Sequence, residues 1–253
     1  MHFFSRVGVL ANTTSPPSKY IPVVCSEPET IILALGVFDA VLYPFLPCPK
    51  ALFAHIVTIN RLRCQTLPED GIPNPERNGD LVVAASVDSH VTPLTILKQV
   101  EEFSVSEWAD TKDPSHPDDW LLAGRIFQSA VALFCLLSLD RQIHDEAGQG
   151  VAAEDAIAFM TQTHTDNLFA LLEEGAANPM VRKSLVWPIV VAGVAAARQG
   201  PEARLFISRA LCATSRVHGS SLPLVAKGVL EKFWLSGQTG WDECFEVGCC
   251  FVV

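Results

Sequence analysis

From Ile126 to Leu139 the chain carries no charged residue, and from Trp120 onward only Arg125, Gln128, Ser129 and Ser138 interrupt the apolar run. A helix that is apolar on nearly all sides has no face to offer water, so it belongs at the centre of a helical protein. The uncharged run is too short for the hydrocarbon core of a bilayer, which takes about 20 apolar residues. A buried central helix needs other helices packed around it, and the flanking sequence supplies them.

Ser26 and Glu29 have capping-box spacing with Pro28 in the first turn, which predicts a helix over Ile31 to Leu42 that Pro44, Pro47 and Pro49 end. Lys50 to Cys64 is amphipathic, with Phe53, Ile56, Val57 and Asn60 on one side. Arg61 and Arg63 stand near its end, where cations suit the helix dipole. Residues 66–92, with Pro68, Gly71, Pro73, Pro75 and Gly79, read as a long loop with a strand-like piece at Leu81 to Ala85. Thr92-Pro93 opens a helix to Phe103, and residues 104–117 form a second loop.

After the central helix, Trp120 to Leu139, the pattern predicts a helix over Ala153 to Glu174. Ile157, Met160, His164, Leu168 and Leu171 share its apolar face. Residues 180–199 read as a buried helix kinked at Pro188. Residues 202–217 place Phe206, Ala210, Ala213 and Val217 on one side, and Leu222 to Leu235 places Val225, Val229 and Phe233. The sum is an all-α fold, an irregular bundle of about eight helices with a long loop near 66–92. Residues 1–25 read as a poorly ordered leader, 26–245 as the helical domain and 246–253 as a C-terminal tail.

Function is bounded first by charge. The 253 residues carry 18 Lys and Arg against 28 Asp and Glu, a formal −10, which repels phosphate backbones and speaks against nucleic-acid contact by this chain. None of the eight cysteines forms a C-x-x-C pair, so they read as reduced structural thiols. Met1 to Leu10 is a poor signal peptide, which points to an intracellular protein. H-E-x-x-H, P-loop, G-x-G-x-x-G and G-x-S-x-G motifs are missing. Asp118-Asp119 lacks the further acids of a helical terpene cyclase. His164 reads as a hydrogen-bonded core residue, His144 as solvated, and His218-Gly219 as a helix stop. No nucleophile, base and orienter assemble, so the chain is read as a non-enzyme with no cofactor or metal of its own.

One segment stands out, Phe233-Trp234-Leu235-Ser236-Gly237-Gln238-Thr239-Gly240-Trp241-Asp242-Glu243-Cys244-Phe245. Gly237 suits the left-handed residue that ends a helix, and Gly240 permits a second reversal. Trp234, Trp241 and Phe245 then anchor the tail on the bundle, and Asp242 caps the next turn.

This segment resembles the C-terminal signature of the fungal-specific transcription factor domain, the regulatory region of zinc-cluster (two-zinc, six-cysteine) regulators. Trp120 to Leu133, including Arg125 and Gln128, looks like the family's central helix. Trp187-Pro188-Ile189-Val190-Val191-Ala192-Gly193 looks like its Trp-Pro helix. Pro47-Cys48-Pro49 and Ile59-Asn60-Arg61-Leu62-Arg63 look like its earlier elements. The match runs over roughly residues 28 to 245 in the expected order. Its structural signature comprises Trp120, Arg125, Gln128, Trp187, Pro188, Phe233, Trp234, Gly237, Gly240, Trp241, Asp242, Cys244 and Phe245.

The resemblance implies a nuclear domain that regulates transcription through protein partners, self-association or a small-molecule effector, with no membrane association. Zinc enters only if a cluster lies upstream, because this sequence lacks the closely spaced cysteines that a cluster needs. The expectation is therefore either a segment of a longer regulator or a free-standing regulatory domain. The competing readings are an all-helical biosynthetic enzyme and a truncated, dominant-negative partner of a full-length regulator. A sharper expectation places an effector pocket between helices 120–139 and 180–199, against the alternative that side chains fill that space.

Overall fold

Among its described residues the computed structural model has eleven α-helices, three short 3-10 turns and no strand. The described residues are 2–19, 48–65, 91–148, 150–246, 248 and 251. In chain order the helices are α1 (His2–Thr13), α2 (Lys50–Gln65), α3 (Pro93–Glu102), α4 (Val105–Asp110), α5 (Pro117–Ser138) and α6 (Asp140–Ala147). There follow α7 (Val151–Ala177), α8 (Val186–Ala195), α9 (Pro201–His218), α10 (Leu222–Ser236) and α11 (Trp241–Cys244). The all-α expectation holds. The helix expected over 31–42 and the strand-like piece at 81–85 lie outside the described residues.

The uncharged run does what its composition demands. α5 packs against α2, α3, α4, α7, α8 and α11, and Ala130, Val131, Ala132, Leu133, Phe134 and Cys135 have no exposed surface. By length and composition α5 could cross a membrane, but it lies inside the bundle. Each large apolar side chain buried this way contributes roughly 1.5–3 kcal/mol.

Several local readings give way. Residues 2–19 are not a ragged leader: α1 is a helix that packs on α2, with Val9, Leu10 and Ala11 buried. Residues 104–117 are not all loop, because Ser104 caps α4 by accepting from Glu107 N at 3.3 Å. The apolar residues Val105, Trp108 and Ala109 then lie on one side. Pro188 does not kink a long helix. It sits in the first turn of α8, where its missing N–H costs nothing, and the rest of 180–199 divides into 3-10 turns at Val181–Ser184 and Ala196–Arg198.

On α9 the buried side is Ile207, Leu211 and Thr214, with Phe206 and Ala210 beside it, while Ala213 and Val217 are exposed. On α10 it is Pro223, Ala226, Leu230, Phe233 and Trp234, while Val225 is exposed. Gly193 of α8 explains how closely these two helices approach. A Cβ there would lie 2.4 Å from Leu230 Cδ1 and 3.3 Å from Ile207 Cγ2. Both α9 and α10 therefore rest side by side on the same point of α8.

Candidate functional site

α1 ends without a cation of its own in the last turn. Of its final carbonyls, orphaned by helix geometry, those of Leu10 and Ala11 accept from the hydroxyls of Thr13, Thr14 and Ser15, while those of Asn12 and Thr13 draw donors from farther along the chain. Arg63 of α2 supplies them. Its side chain is 1% exposed, and its Nη1 donates to Asn12 O and Thr13 O at 3.2 Å each. Its Nη2 donates to Ser15 O at 3.3 Å and to the Asp242 carboxylate. The guanidinium lies over the Phe134 ring of α5, 5.8 Å from the centroid. One turn earlier, Asn60 Nδ2 donates to Val9 O at 3.0 Å. Arg63 therefore serves the dipole of α1 rather than that of its own helix, and it is a buried polar hub rather than a solvated end charge.

Two tryptophans complete the junction. Trp241 Nε1 donates to Thr13 O at 2.7 Å, and Trp187 Nε1 donates to Thr13 Oγ1 at 3.0 Å. Their rings join one aromatic row. Phe127 stacks on Trp187 at 6.2 Å, Phe134 meets Trp187 at 5.9 Å and Trp241 at 4.8 Å, and Trp241 continues to Phe245 at 5.3 Å. Phe245 touches Phe251, so the tail expected from residue 246 onward still packs on the domain at that point. Between α5 and α8 the space expected to hold an effector is occupied here by Phe127, Phe134 and Trp187.

The rest of the signature is structural in the same sense. Gly237 has φ +73°, the left-handed end of α10 that the sequence demanded. Gly240 differs from expectation: its backbone is extended, and its N–H donates to Glu243 Oε2 at 3.0 Å at the start of α11. Asp242 does not cap a turn; it pairs with Arg63. Trp234 Nε1 donates to Gly193 O at 2.9 Å, and Phe233 and Cys244 are buried. Gln128 Nε2 donates to Val100 O at 2.8 Å and Phe103 O at 2.9 Å, satisfying the end of α3. Trp120 meets Trp108 edge-on at 6.2 Å, and Arg125 is exposed. The signature thus divides. Trp187, Trp241, Asp242 and Phe245 gather around Arg63 and α1, while Trp120, Arg125 and Gln128 stand apart on α5.

The candidate chemical residues do not converge. His164 Nε2 lies 3.1 Å from Glu101 Oε1, His144 Nδ1 contacts Asp140 O at 2.7 Å, and Asp119 accepts from Asn178. His218 ends α9 before Gly219, whose φ is +62°. Burial holds the pKa of His55 and of His218 below the ordinary histidine value of 6.5. Burial pushes the Cys135 thiol up to about 12, so it is chemically quiet. Among the described residues no group of three or more His, Cys, Asp or Glu could hold a metal ion.

The chain belongs to the fungal-specific transcription factor domain family, whose model covers residues 2–248. It is 31% identical over 241 residues to the phomenoic acid biosynthesis cluster-specific transcriptional regulator of Leptosphaeria maculans. That alignment covers 95% of this chain and 42% of the relative, so the chain spans less than half of that protein's length. No solved structure matches the chain. The family model begins at residue 2, which agrees with α1 being part of the body.

Proposed function

We propose that this domain regulates transcription in the nucleus by protein–protein contact or by binding an effector, without contacting DNA itself. The observation that carries the reading is the family match over residues 2–248 together with a relative that is a transcriptional regulator. The net charge of −10 supports the exclusion of DNA, because an acidic surface repels the phosphate backbone. Packing of Phe127, Phe134 and Trp187 between α5 and α8 favours surface contact over an internal effector.

The test fuses the full chain to a heterologous DNA-binding module and reads a reporter in a fungal host. The expected result is a change in output relative to the module alone, lost when the Arg63 junction is broken. A stable fusion that leaves the reporter unchanged overturns the reading. Retention of random duplex DNA by the isolated chain at physiological salt overturns the exclusion of DNA contact.

A further inference from the structure

Charge is distributed unevenly along this acidic chain. Residues 181–236, from the 3-10 turn Val181–Ser184 through α10, contain eight lysines and arginines against two glutamates, a formal +6. The other residues hold the remaining ten cations against 26 carboxylates, a formal −16. A local reversal of that size on a chain of opposite sign is a directional field.

The geometry places part of it on one face. α9 and α10 both rest on Gly193 of α8, through Ile207 and Leu230 respectively. Their outer sides therefore turn away from α8. On α9 the outer stripe is Leu205, Arg209, Ala213 and Arg216, and on α10 it is Leu224, Val225, Lys232 and Leu235. Cations and apolar side chains alternate along α9, and on α10 one cation stands among three apolar side chains. Leu235 is 88% exposed, Leu205 50%, Val225 49% and Leu224 45%. Two other cations of the region are engaged within the chain. Arg204 donates to Ala196 O and Ala197 O, and Lys227 pairs with Glu231 at 2.7 Å. Arg209, Arg216 and Lys232 make no ion pair among the described residues.

We infer that the outer face of the α9–α10 pair docks an acidic amphipathic polypeptide segment. Such a segment lays apolar residues at helical spacing against Leu205, Leu224, Val225 and Leu235 while its carboxylates meet Arg209, Arg216 and Lys232. Charge complementarity selects an acidic partner. The exposed leucines select a polypeptide over a nucleic acid, whose backbone offers phosphates but no row of apolar side chains. The inference deepens the partner-binding reading above and names the surface and the chemistry of what it takes.

The experiment uses the full chain and a fluorescent synthetic peptide of about 20 residues, long enough for several helical turns. Leucines stand at i, i+3 and i+4 spacing with glutamates elsewhere. Controls are a scrambled peptide of the same composition, a random duplex DNA and the chain alone by light scattering. Saturable binding to the ordered peptide is expected, weaker in high salt and weaker for the scrambled peptide. The triple variant R209E/R216E/K232E should weaken it by about tenfold or more, since three rim cations become carboxylates that repel the partner's own. L224A/L235A, which keeps every charge, should weaken it as well. Equal affinity for both peptides, no effect of either variant with unchanged circular dichroism, or tighter binding of the duplex at this face each overturns the inference. Dimerisation of the chain through this face, abolished by the triple variant, overturns it too, because the occupant is then a second copy. A chain that still regulates the reporter but ignores the peptide refutes the docking face and leaves the regulatory reading standing.

Discussion

Replacing Arg63 with methionine keeps most of the buried stem and removes the guanidinium, so it isolates the polar junction. The variant leaves Ser15 O without its cation and takes the guanidinium donor away from Asn12 O. Thr13 O keeps Trp241 as donor at 2.7 Å. A buried acceptor that loses its partner costs about 1–3 kcal/mol, and the lost donor here is charged, so R63M should cost about 3–5 kcal/mol. Asp242 is the test of where that cost lies. Its side chain is 51% exposed, so water replaces much of what it loses, and D242N should cost only about 1–2 kcal/mol. Urea unfolding followed by tryptophan fluorescence and linear extrapolation measures both. R63K should fall near R63M, because a single ammonium does not fork between carbonyls of a helix end and a carboxylate. A cost for R63M below about 1 kcal/mol, or no greater than that of D242N, refutes the argument that Arg63 holds α1.

Three further outcomes follow from other contacts. W187F keeps the ring row on Phe127 and Phe134 but loses the bond to Thr13 Oγ1, so it should destabilise by about 1 kcal/mol; T13V also loses the bond to Leu10 O, and its cost should be smaller in W187F than in the parent, as a double-mutant cycle reads. G193A puts a methyl 2.4 Å from Leu230 Cδ1 and should cost about 1–3 kcal/mol, with a shorter side chain at 230 restoring part of it in thermal unfolding. Since burial lowers the pKa of His55 and of His218, the unfolded chain takes up more protons there below about 6.5, and stability should fall as pH drops through that value. H55Q/H218N should flatten that part of the stability–pH curve, and an unchanged slope would count against the assignment.

The helices were legible wherever composition alone decides burial. The uncharged run from Ile126 to Leu139 could only be a centre, and Thr92-Pro93 could only be a helix start. Legibility failed where a partner distant in sequence decides the outcome. Val225 was assigned inward by periodicity, yet the approach of α10 to Gly193 turns Ala226 and Leu230 inward instead. Pro188 looked like a kink because a continuous apolar stretch hides the break before Val186. α1 looked like a leader because the donors that complete its end, Arg63 and Trp241, lie far along the chain. Trp241 was readable as an anchor from its size, but what it anchors to was not. Asp242 looked like a local cap because nothing near it in sequence is basic. The cations between 181 and 236 were countable from the start, but their alignment beside exposed leucines emerges only once α9 and α10 are seen to share one support.

The bond from Trp241 to Thr13 spans 228 residues. During synthesis at 5–20 residues per second, α1 leaves the ribosome roughly ten to forty seconds before the ring that holds its last carbonyl exists. For that interval Arg63 donates to the Thr13 carbonyl without Trp241 beside it. The nascent chain thus waits with the Thr13 carbonyl held by one of its two donors. The segment around Trp241 therefore decides when α1 gains its second carbonyl donor, long after α1 itself is made.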